Sequence, residues 1–424
     1  MKVLVIGGGG REHAIIKALK KDTKISKIYA APGNGGISVD AECVPIKAVD
    51  IPKMTEFAVQ NKIDYVVVAP DDPLVLGMTD ALTVKGIRCF GPDKAAARIE
   101  GSKVFSKDLM KKYSIPTAAY ETFSSPDKAA DYLKQEDLSF PIVIKADGLA
   151  LGKGVIIAED LKQALDAIDS IMREKKFGDS GSSIVIEEFL SGPEVTVLAF
   201  TDGKTIVPMI SSMDHKRAFD GNTGPNTGGM GVIAPNPHYT KEIAEVCEKT
   251  IFLPTIRAMK EEGCPFKGCL YFGLMLTNMG PVVIEYNCRF GDPEAQAVLP
   301  LLETSLFEIM EAVTDERLSE VKINWKDAHC ACVILASGGY PLSYTTGFTI
   351  TGLKEAENSG AAVYHAGTEY KKTGNEGAFF TSGGRVLGVT AVDPAPDTAL
   401  AKAYKACELI NFEGIHFRRD IGKY

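Results

Sequence analysis

A short segment near residue 285 alternates three polar side chains that could do chemistry: Glu285, Asn287 and Arg289. The β-branched residues just before them, 282–284, predict a strand, and side chains two residues apart on a strand share one face. A carboxylate beside an amide oxygen suits Mg²⁺, and an arginine suits a carboxylate or phosphate. The segment therefore predicts a metal pair beside an anion clamp. The alternative is an edge strand with a solvated polar face.

The residues that follow this strand predict the start of a helix. Asp292 is expected at the N-cap, Pro293 as the first helical residue and Glu294 as an acid in the first turn. A metal pair, an anion clamp and a helix N-terminus would then lie side by side, as they often do in a metal–nucleotide site.

The composition excludes several classes of protein. The 424 residues, 45% hydrophobic and 24% charged, suit a protein of several domains with its own large core. A net charge of −8 argues against nucleic acid or an anionic membrane as a partner. Nine cysteines without a CxxC pair fit reduced thiols, so we expect a cytoplasmic protein. The N-terminus predicts a strand rather than a signal peptide, and no apolar run approaches the roughly 18 residues of a membrane span.

Three domains are predicted along the chain, which makes the fold class α/β combined with α+β. Residues 1–102 alternate strands with helices, a pattern typical of a Rossmann-like parallel sheet. Residues 103–325 form a second domain, in which about 115–190 predict a small α+β lid. Residues 326–424 form a C-terminal mixed domain.

A glycine cluster, Gly7–Gly10, follows the first strand and opens a helix, where free N–H groups attract an anion. It does not fit the dinucleotide fingerprint, because Glu12 stands where the third glycine belongs. Arg11 beside the loop favours a phosphorylated small molecule, and a tight turn without a ligand is the alternative. Asp71 follows another strand at the same edge of the sheet, where such folds bind ligands.

A second candidate site lies in the predicted lid. Lys145 ends an apolar strand and leads into a loop that contains Gly152 and Gly154. Such a loop can bring its N–H groups close to phosphates, so with the lysine it predicts a cover over a triphosphate. An exposed hairpin is the alternative. The segment 184–190 is expected to be a hinge that pairs with adenine, with Glu194 in reach of ribose hydroxyls.

A second glycine loop, residues 221–231, has four glycines in eight residues from Gly224 and is predicted to be neither helix nor regular strand. The charged or titratable run Asp214–Arg217 precedes it and indicates a functional loop. A single histidine is more often structural than catalytic, so His215 is not assigned as a base.

Together these blocks resemble the ATP-grasp superfamily and, more narrowly, the phosphoribosylamine–glycine ligase family of purine biosynthesis. The resemblance covers essentially the whole chain. The blocks that carry it are Gly9–His13, Ala31–Asn34, Gly101–Lys103, the Lys145 loop, Glu187–Leu190, Asp214–Arg217, Gly224–Gly231, Glu285–Asn287, Arg289–Glu294, His365–Thr368 and Ser382–Leu387. It implies that the middle domain is an ATP-grasp module with a small mobile lid.

The resemblance also implies a reaction. ATP, glycine and 5-phosphoribosylamine would give ADP, phosphate and glycinamide ribonucleotide through a glycyl phosphate. The cofactor would be Mg²⁺ or Mn²⁺, with ATP as a co-substrate. The partners would be these small molecules and, transiently, other enzymes of the purine pathway, with no nucleic acid and no membrane.

Site residues follow from the resemblance by position. Those expected to contact ATP are Lys103, Lys145, Gly152, Gly154, Glu187, Glu188, Phe189, Leu190, Glu194, Arg217 and Asn226. Those expected to contact the other substrates are Gly8, Gly9, Gly10, Arg11, Glu12, Asn34, Asp71, Asp214, Arg289, Gly291 and Asp292. Glu285 and Asn287 would bind the metal. The catalytic set would be Lys145 on the phosphates, Asp214 on the glycine ammonium and Arg289 on its carboxylate.

The sequence departs from the family pattern at three places. Gly8 stands where the family often has Asn or Ser, and Asp71 stands in place of a glutamate. The strand before the metal strand, residues 271–276, has no acid, so no second acidic metal ligand is predicted. Two other functions remain open from sequence: a sister ligase that carboxylates or formylates a ribonucleotide, and a Rossmann-type nucleotide-binding regulator without enzymatic activity.

Overall fold

The first sheet of the protein is parallel, as predicted. The computed structural model describes residues 1–135, 138–149, 154–373 and 376–423. Five parallel strands lie in the order β3-β2-β1-β4-β5, and the run of β-branched residues in β1 and β4 is almost entirely buried. The strands are β1 (Lys2–Gly7), β2 (Lys27–Pro32), β3 (Glu42–Cys43), β4 (Tyr65–Val68) and β5 (Arg88–Phe90). The helices are α1 (Gly10–Leu19), α2 (Ile37–Asp40), α3 (Ile51–Gln60), α4 (Asp71–Leu76), α5 (Met78–Val84) and α6 (Lys94–Gly101). Because β1, β2 and β4 run the same way, the residues that follow them lie along one edge.

A small unit with its own core follows. Four strands lie in the order β6-β9-β7-β8, and their apolar faces pack on two helices, α8 and α9. The elements are α7 (Lys103–Lys112), β6 (Tyr120–Phe123), α8 (Pro126–Tyr132), β7 (Ile142–Ala146), β8 (Val155–Ala158), α9 (Leu161–Ile168) and β9 (Ile184–Glu188). A π-helical turn, Asp169–Arg173, extends α9, and a 3₁₀ turn covers Gly178–Gly181. This is the segment predicted as an α+β lid.

The rest of the middle part is built on a long antiparallel sheet, in the order β11-β10-β16-β17. Four further strands of this part of the chain, β12 to β15, lie outside that sheet. The eight strands in chain order are β10 (Glu194–Asp202), β11 (Ile206–Pro208), β12 (Met213–Asp214), β13 (Arg217–Phe219), β14 (Thr223–Asn226), β15 (Gly231–Ala234), β16 (Lys267–Thr277) and β17 (Gly280–Asn287). The helices are α10 (Lys241–Cys247), α11 (Leu253–Glu261), α12 (Glu294–Val298) and α13 (Leu306–Thr314). A π-helical turn (Glu248–Phe252) and two 3₁₀ turns (Leu299–Leu301 and Leu318–Glu320) join them.

Two local predictions are wrong here. The glycine loop contains a short strand, β14, because a register irregularity in β13 and a positive φ of 80° at Gly224 let the hairpin close. The helix after the metal strand begins at Glu294 and not at Pro293. Asp292 is therefore free to cap another element: its carboxylate accepts from the backbone N–H of Arg11, at the start of α1.

The last part contributes a second five-stranded sheet, in the order β12-β15-β18-β23-β20. Its elements are β18 (His329–Ala336), β19 (Thr349–Ile350), α14 (Leu353–Asn358), β20 (Ala362–His365), β21 (Thr368–Thr373), β22 (Glu376–Thr381), β23 (Arg385–Asp393) and α15 (Pro396–Cys407). Because β12 and β15 come from the middle of the chain, this sheet spans the boundary predicted at 326, which stays a prediction.

The cysteines of the chain lie mainly in its interior. All nine cysteines are unpaired and eight are buried, including Cys330 and Cys332 in β18. In the ranges that the structure covers, no helix is both long enough and apolar enough to cross a bilayer.

A buried polar cluster joins α1, in the N-terminal sheet, to β20, in the C-terminal part. The Nδ1 of His13 accepts from the backbone N–H of His365 at 2.8 Å, so its Nε2 carries the proton and donates to Asp40 at 3.0 Å. Burial lowers the pKa of both histidines, that of His365 to about 3. Both are therefore neutral at pH 7.

This cluster predicts that acid destabilises the fold. A histidine whose pKa is lower in the folded state stabilises it above about pH 6.5, and the stabilisation is lost as pH falls towards the folded pKa. For His365 the loss by pH 4 amounts to about 3 kcal/mol. His365→Gln cannot titrate, so urea unfolding at pH 7 and pH 4 should show a smaller difference than in the wild type. An equal difference in both proteins would contradict the assignment.

Candidate functional site

A bulge in β17 places the predicted metal strand next to a lysine of the lid. The register between β16 and β17 skips Ile284, whose carbonyl accepts a hydrogen bond from the Nζ of Lys145 at 3.1 Å. Beyond the bulge, Glu285, Asn287 and Arg289 are half-buried, whereas the residues between them are buried. Because exposure alternates along the strand, the three polar side chains share one face, as the sequence predicted.

Glu285 is surrounded by positive charge. Burial acts to raise its pKa, but Lys216, Lys145 and Lys103 outweigh it, so that the pKa is lowered and the carboxylate is ionised at neutral pH. Its neighbour Asn287 accepts a hydrogen bond from Arg289 at 3.3 Å through its amide oxygen.

These two oxygens fit a hard cation of the Mg²⁺ type, which keeps waters and substrate phosphates in its other positions. Across the described part of the chain, no three His, Cys, Asp or Glu side chains gather into a complete metal cage. A metal held by Glu285 and Asn287 would therefore complete its coordination with waters and phosphate oxygens.

The lysine of the lid belongs to a buried ion network. The carboxylate of Glu187 lies 2.9 Å from the Nζ of Lys145 and 2.9 Å from the Nζ of Lys107. All three side chains are buried, and burial lowers the pKa of Lys107 to about 8 despite the carboxylate. A residue predicted to bind adenine thus also holds the lysine predicted to bind phosphate.

The start of α7 is tied to the lysine–glycine loop. The Nζ of Lys103 donates to the carbonyl of Gly148 at 3.0 Å, and burial lowers the pKa of this lysine although Glu285 acts to raise it. Gly154 accepts a hydrogen bond from the loop's other strand through its carbonyl. Gly152 lies outside the described residues. Lys103 and Lys145, both predicted to hold phosphates, therefore face Glu285 from two elements.

The last residues of the predicted hinge are accessible to solvent. The carboxylate of Glu188 accepts from the backbone N–H of Ala119 at 2.9 Å, which ties the end of β9 to the segment before β6. Phe189 is exposed and Leu190 half-buried, so both are available to a ligand.

Beyond the hinge, the predicted ribose and nucleotide residues meet. Glu194 forms an ion pair with Lys216 at 2.7 Å. Arg217 donates to the carbonyl of Gly224 at 2.7 Å and pairs with Asn226 across the β13–β14 hairpin. Arg217 and Asn226 therefore lie side by side, and Glu194 contacts Lys216, the residue next to Arg217; their binding of one ligand stays a prediction.

The predicted carboxylate clamp is held by two acids. Arg289 lies 3.1 Å from Glu100 and 3.9 Å from Asp71, and these carboxylates raise its pKa against the effect of burial. Burial raises the pKa of Glu100, which also accepts from the backbone N–H of Cys288 at 2.7 Å. The Nε of Arg289 is buried and has no hydrogen-bond partner in the described structure. The guanidinium therefore has one donor that no described group satisfies.

Two carboxylates, that of half-buried Asp214 and that of buried Glu294, repel each other electrostatically. Burial and their mutual repulsion raise the pKa of Asp214, and burial raises that of Glu294. The Oδ1 of Asp214 has no hydrogen-bond partner in the described ranges. A Cβ atom at Gly229 would collide with the carboxylate of Asp214, and one at Gly291 with that of Glu294. Glycine at these two positions therefore keeps the space beside the carboxylates open. The pair forms a place for a cationic group.

The N-terminal glycine loop already binds two carboxylates. Glu12 accepts from the backbone N–H of Gly9 at 2.5 Å and pairs with the Nε of Arg11 at 2.6 Å. Arg11 also donates to the carbonyl of Phe290 at 3.2 Å, and its backbone N–H reaches Asp292 at 3.4 Å. The loop is thus joined to the segment after β17, and its role as a phosphate site stays a prediction.

The departure at Gly8 has a structural reason. Any Cβ there would collide with the carbonyl of Gly33, and the Gly8 carbonyl accepts from the side chain of Asn34 at 2.9 Å. Any Cβ at Gly10 would likewise collide with Gln296. The two loops that end β1 and β2 are therefore in direct contact.

Several residues of the site were missed by sequence reasoning. Arg385 donates to the carbonyls of Gly228 at 2.6 Å and Asp292 at 2.7 Å, which links the C-terminal part to the glycine loop. Glu100 was missed because its partner is far away in sequence. Lys107 could have been found from the sequence, because it lies four residues after Lys103 and therefore on the same face of the helix.

The buried lysines near Glu285, the end of β9 and the strand of Glu285 and Asn287 lie close together, as in the nucleotide site that the ATP-grasp resemblance predicts. Residues 101–295 match the sequence profile described as phosphoribosylglycinamide synthetase, ATP-grasp (A) domain. Residues 1–100 match the N domain of the same family and residues 330–424 its C domain. The chain belongs to the phosphoribosylglycinamide synthetase family.

Individual proteins agree with this assignment. The chain is 49% identical to the phosphoribosylamine–glycine ligase of Caldanaerobacter subterraneus subsp. tengcongensis over 421 residues, which covers 99% of each. A solved phosphoribosylamine–glycine ligase from Thermotoga maritima superposes with a TM-score of 0.85 at 32% identity, over 99% of this chain and 100% of that one. The biotin carboxylase domain of the Hydrogenobacter thermophilus 2-oxoglutarate carboxylase shares the fold alone, with a TM-score of 0.73 at 15% identity over 98% of this chain and 91% of that one.

Proposed function

We propose that this chain uses ATP to join glycine to 5-phosphoribosylamine, giving glycinamide ribonucleotide, ADP and phosphate through a glycyl phosphate. The observation that carries the proposal is the pair of opposite charges beside the nucleotide site. Asp214 and Glu294 suit an ammonium group, and Arg289, with its unpartnered Nε, suits a carboxylate. An amino acid carries both groups.

In this proposal the carboxylate of glycine attacks the γ-phosphoryl group, ADP leaves, and the amine of 5-phosphoribosylamine then displaces phosphate. Two anions must meet in the first step. Lys103, Lys145 and Arg289 lower their mutual repulsion and stabilise the charge that develops on the phosphoryl oxygens. A bound Mg²⁺ or Mn²⁺ ion, held by Glu285 and Asn287, would supply further positive charge to the phosphates.

Other residues of the site are proposed to bind the base and ribose of ATP and the phosphate of 5-phosphoribosylamine. Glu187, Phe189 and Leu190 are proposed to hold adenine, with Glu194 on the ribose. The loop of Gly8–Arg11 is proposed for the sugar phosphate. Closure of the small unit over the site would exclude water, which the glycyl phosphate requires. We place the reaction in the cytoplasm, since all nine cysteines are free.

The test is phosphate release by the wild-type protein with ATP and Mg²⁺. We expect turnover only when glycine and 5-phosphoribosylamine are both present. Turnover without glycine would contradict the proposal, and turnover with bicarbonate or formate in its place would favour a sister ligase. ATP binding without any turnover would favour a nucleotide-binding regulator.

Replacing Glu285 by Gln tests the metal assignment. The amide is a weaker ligand than the carboxylate, so we expect the Mg²⁺ concentration for half-maximal activity to rise about 10- to 100-fold. The matched control is Glu121→Gln, an exposed position on β6. An unchanged Mg²⁺ requirement in Glu285→Gln would show that this carboxylate is not a metal ligand.

A further inference from the structure

The hairpin that carries Arg217 and Asn226 does not belong to any larger sheet. Strands β13 and β14 pair only with each other in the described structure. An isolated two-stranded hairpin is marginally stable in water. The position of Arg217 and Asn226 must therefore be set by contacts between the hairpin and another part of the chain.

Residues 416–422, called here the 416–422 segment, supply such contacts. They reach mainly the backbone of the hairpin, so they do not depend on its side chains. The hydrogen bonds are Arg418 Nη1 to Arg217 O at 3.1 Å, His416 Nε2 to Ala218 O at 2.8 Å, Gly221 N to Asp420 Oδ2 at 2.8 Å and Arg419 N to Asp220 Oδ1 at 2.8 Å. Strand β13 and the turn after it are thus held directly, and β14 is held through its pairing with β13.

The segment is itself rigidly held. Arg418 is only 2% exposed and forms a two-pronged ion pair with Asp420, at 2.7 and 2.9 Å. The hydroxyl of Tyr404, in α15, donates to the carbonyl of Arg418 at 3.0 Å and accepts from the N–H of Ile421 at 2.9 Å. The hairpin is therefore anchored to the last helix.

His215 connects the same segment to the centre of the site. Its Nε2 accepts from the backbone N–H of Gly422 at 3.0 Å, and its Nδ1 donates to the carbonyl of Gly231 at 3.2 Å. Burial lowers the pKa of His215 to about 4, so the ring is neutral and keeps its acceptor at Nε2. Asp214 and Lys216 are its neighbours in sequence.

We propose that the 416–422 segment is a positioning element that holds the β13–β14 hairpin, and with it Arg217 and Asn226, in place for the nucleotide. Arg418 and Asp420 are positioning residues, since they act through the backbone of the hairpin, and His215 supports them through Gly422. The part of this inference that concerns ATP rests on the proposed function. The anchoring itself does not.

The experiment compares Asp420→Ala and Arg418→Met with a matched control, Arg419→Met. The side chain of Arg419 is 65% exposed and lies 3.8 Å from Glu408, away from the hairpin. In the full-length protein without ligands, we expect amide hydrogen exchange of residues 217–226 to accelerate about tenfold or more in Asp420→Ala and Arg418→Met. Arg419→Met should exchange like the wild type.

Steady-state kinetics supply the second measurement. The KM for ATP should rise about tenfold in Asp420→Ala, while the KM for 5-phosphoribosylamine stays within about twofold. Asp420→Asn keeps an oxygen that accepts from Gly221, so it should recover most of both losses. Asp420 is partly exposed and its replacement leaves the core intact, so the test stands even where Arg418→Met fails to fold.

The outcomes separate the two proposals. Wild-type exchange of the hairpin in Asp420→Ala would overturn the anchoring, and faster exchange with an unchanged KM for ATP would overturn its role for the nucleotide. A wild-type protein without glycine-dependent turnover would instead contradict the proposed function. The exchange measurement, made without ligands, would still decide whether the segment anchors the hairpin.

Discussion

Replacing Asp214 by Asn should stabilise the folded protein and at the same time remove most of its activity. Asp214 and Glu294 repel each other in a buried place, which raises the pKa of Asp214. A group whose folded pKa is raised destabilises the fold at pH values above its unfolded pKa, so a neutral amide should add about 1 kcal/mol or more at pH 7. The same change removes the charge that the glycine ammonium requires. We expect kcat/KM for glycine to fall about 100-fold or more.

Thermal unfolding and glycine kinetics, each at pH 7, measure the two effects. Glu294→Gln should act in the same direction on both, because it relieves the same repulsion. Asp166→Asn, at an exposed position, is the control and should leave both unchanged. A stabilised Asp214→Asn protein with a wild-type KM for glycine would show that the acid pair does not bind the ammonium.

Replacing Arg289 by Met is expected to damage both stability and glycine binding. The change leaves Glu100 buried without its partner, which costs about 3–5 kcal/mol in comparable cases. It also removes the proposed carboxylate clamp. The KM for glycine should therefore rise about 100-fold, and that for ATP by no more than about threefold.

The double variant Arg289→Met with Glu100→Gln separates these two effects. Its glutamine needs no counter-charge, so urea unfolding should show most of the stability restored. The KM for glycine should remain high, because the guanidinium is still absent. Recovery of glycine binding along with stability would mean that Arg289 acts only on the fold, and equal rises in both KM values would also exclude the clamp.

Much of the fold follows from local patterns. Val3–Ile6 and Tyr65–Val68 are short, continuous apolar runs, which is typical of strands in a parallel sheet that is covered on both faces. In the structure these two strands pair side by side. The common face of Glu285, Asn287 and Arg289 follows from the two-residue period of a strand.

What could not be predicted depends on contacts between distant segments. Arg289 and Glu100 are 189 residues apart, and no periodicity relates them. The same holds for Asp292, whose carboxylate reaches the start of α1 instead of capping its own helix. Strand β14 was missed because glycines argue against a strand, whereas here the 416–422 segment holds the hairpin from outside.

In the proposed mechanism, the carboxylate of glycine is phosphorylated before the amide bond forms. Glycine labelled with ¹⁸O in its carboxylate tests it directly, in a single reaction with ATP, Mg²⁺ and 5-phosphoribosylamine. If a glycyl phosphate forms, one ¹⁸O atom is transferred to each inorganic phosphate released, as mass spectrometry of the phosphate would show. Phosphate free of ¹⁸O, released together with glycinamide ribonucleotide, would contradict the account.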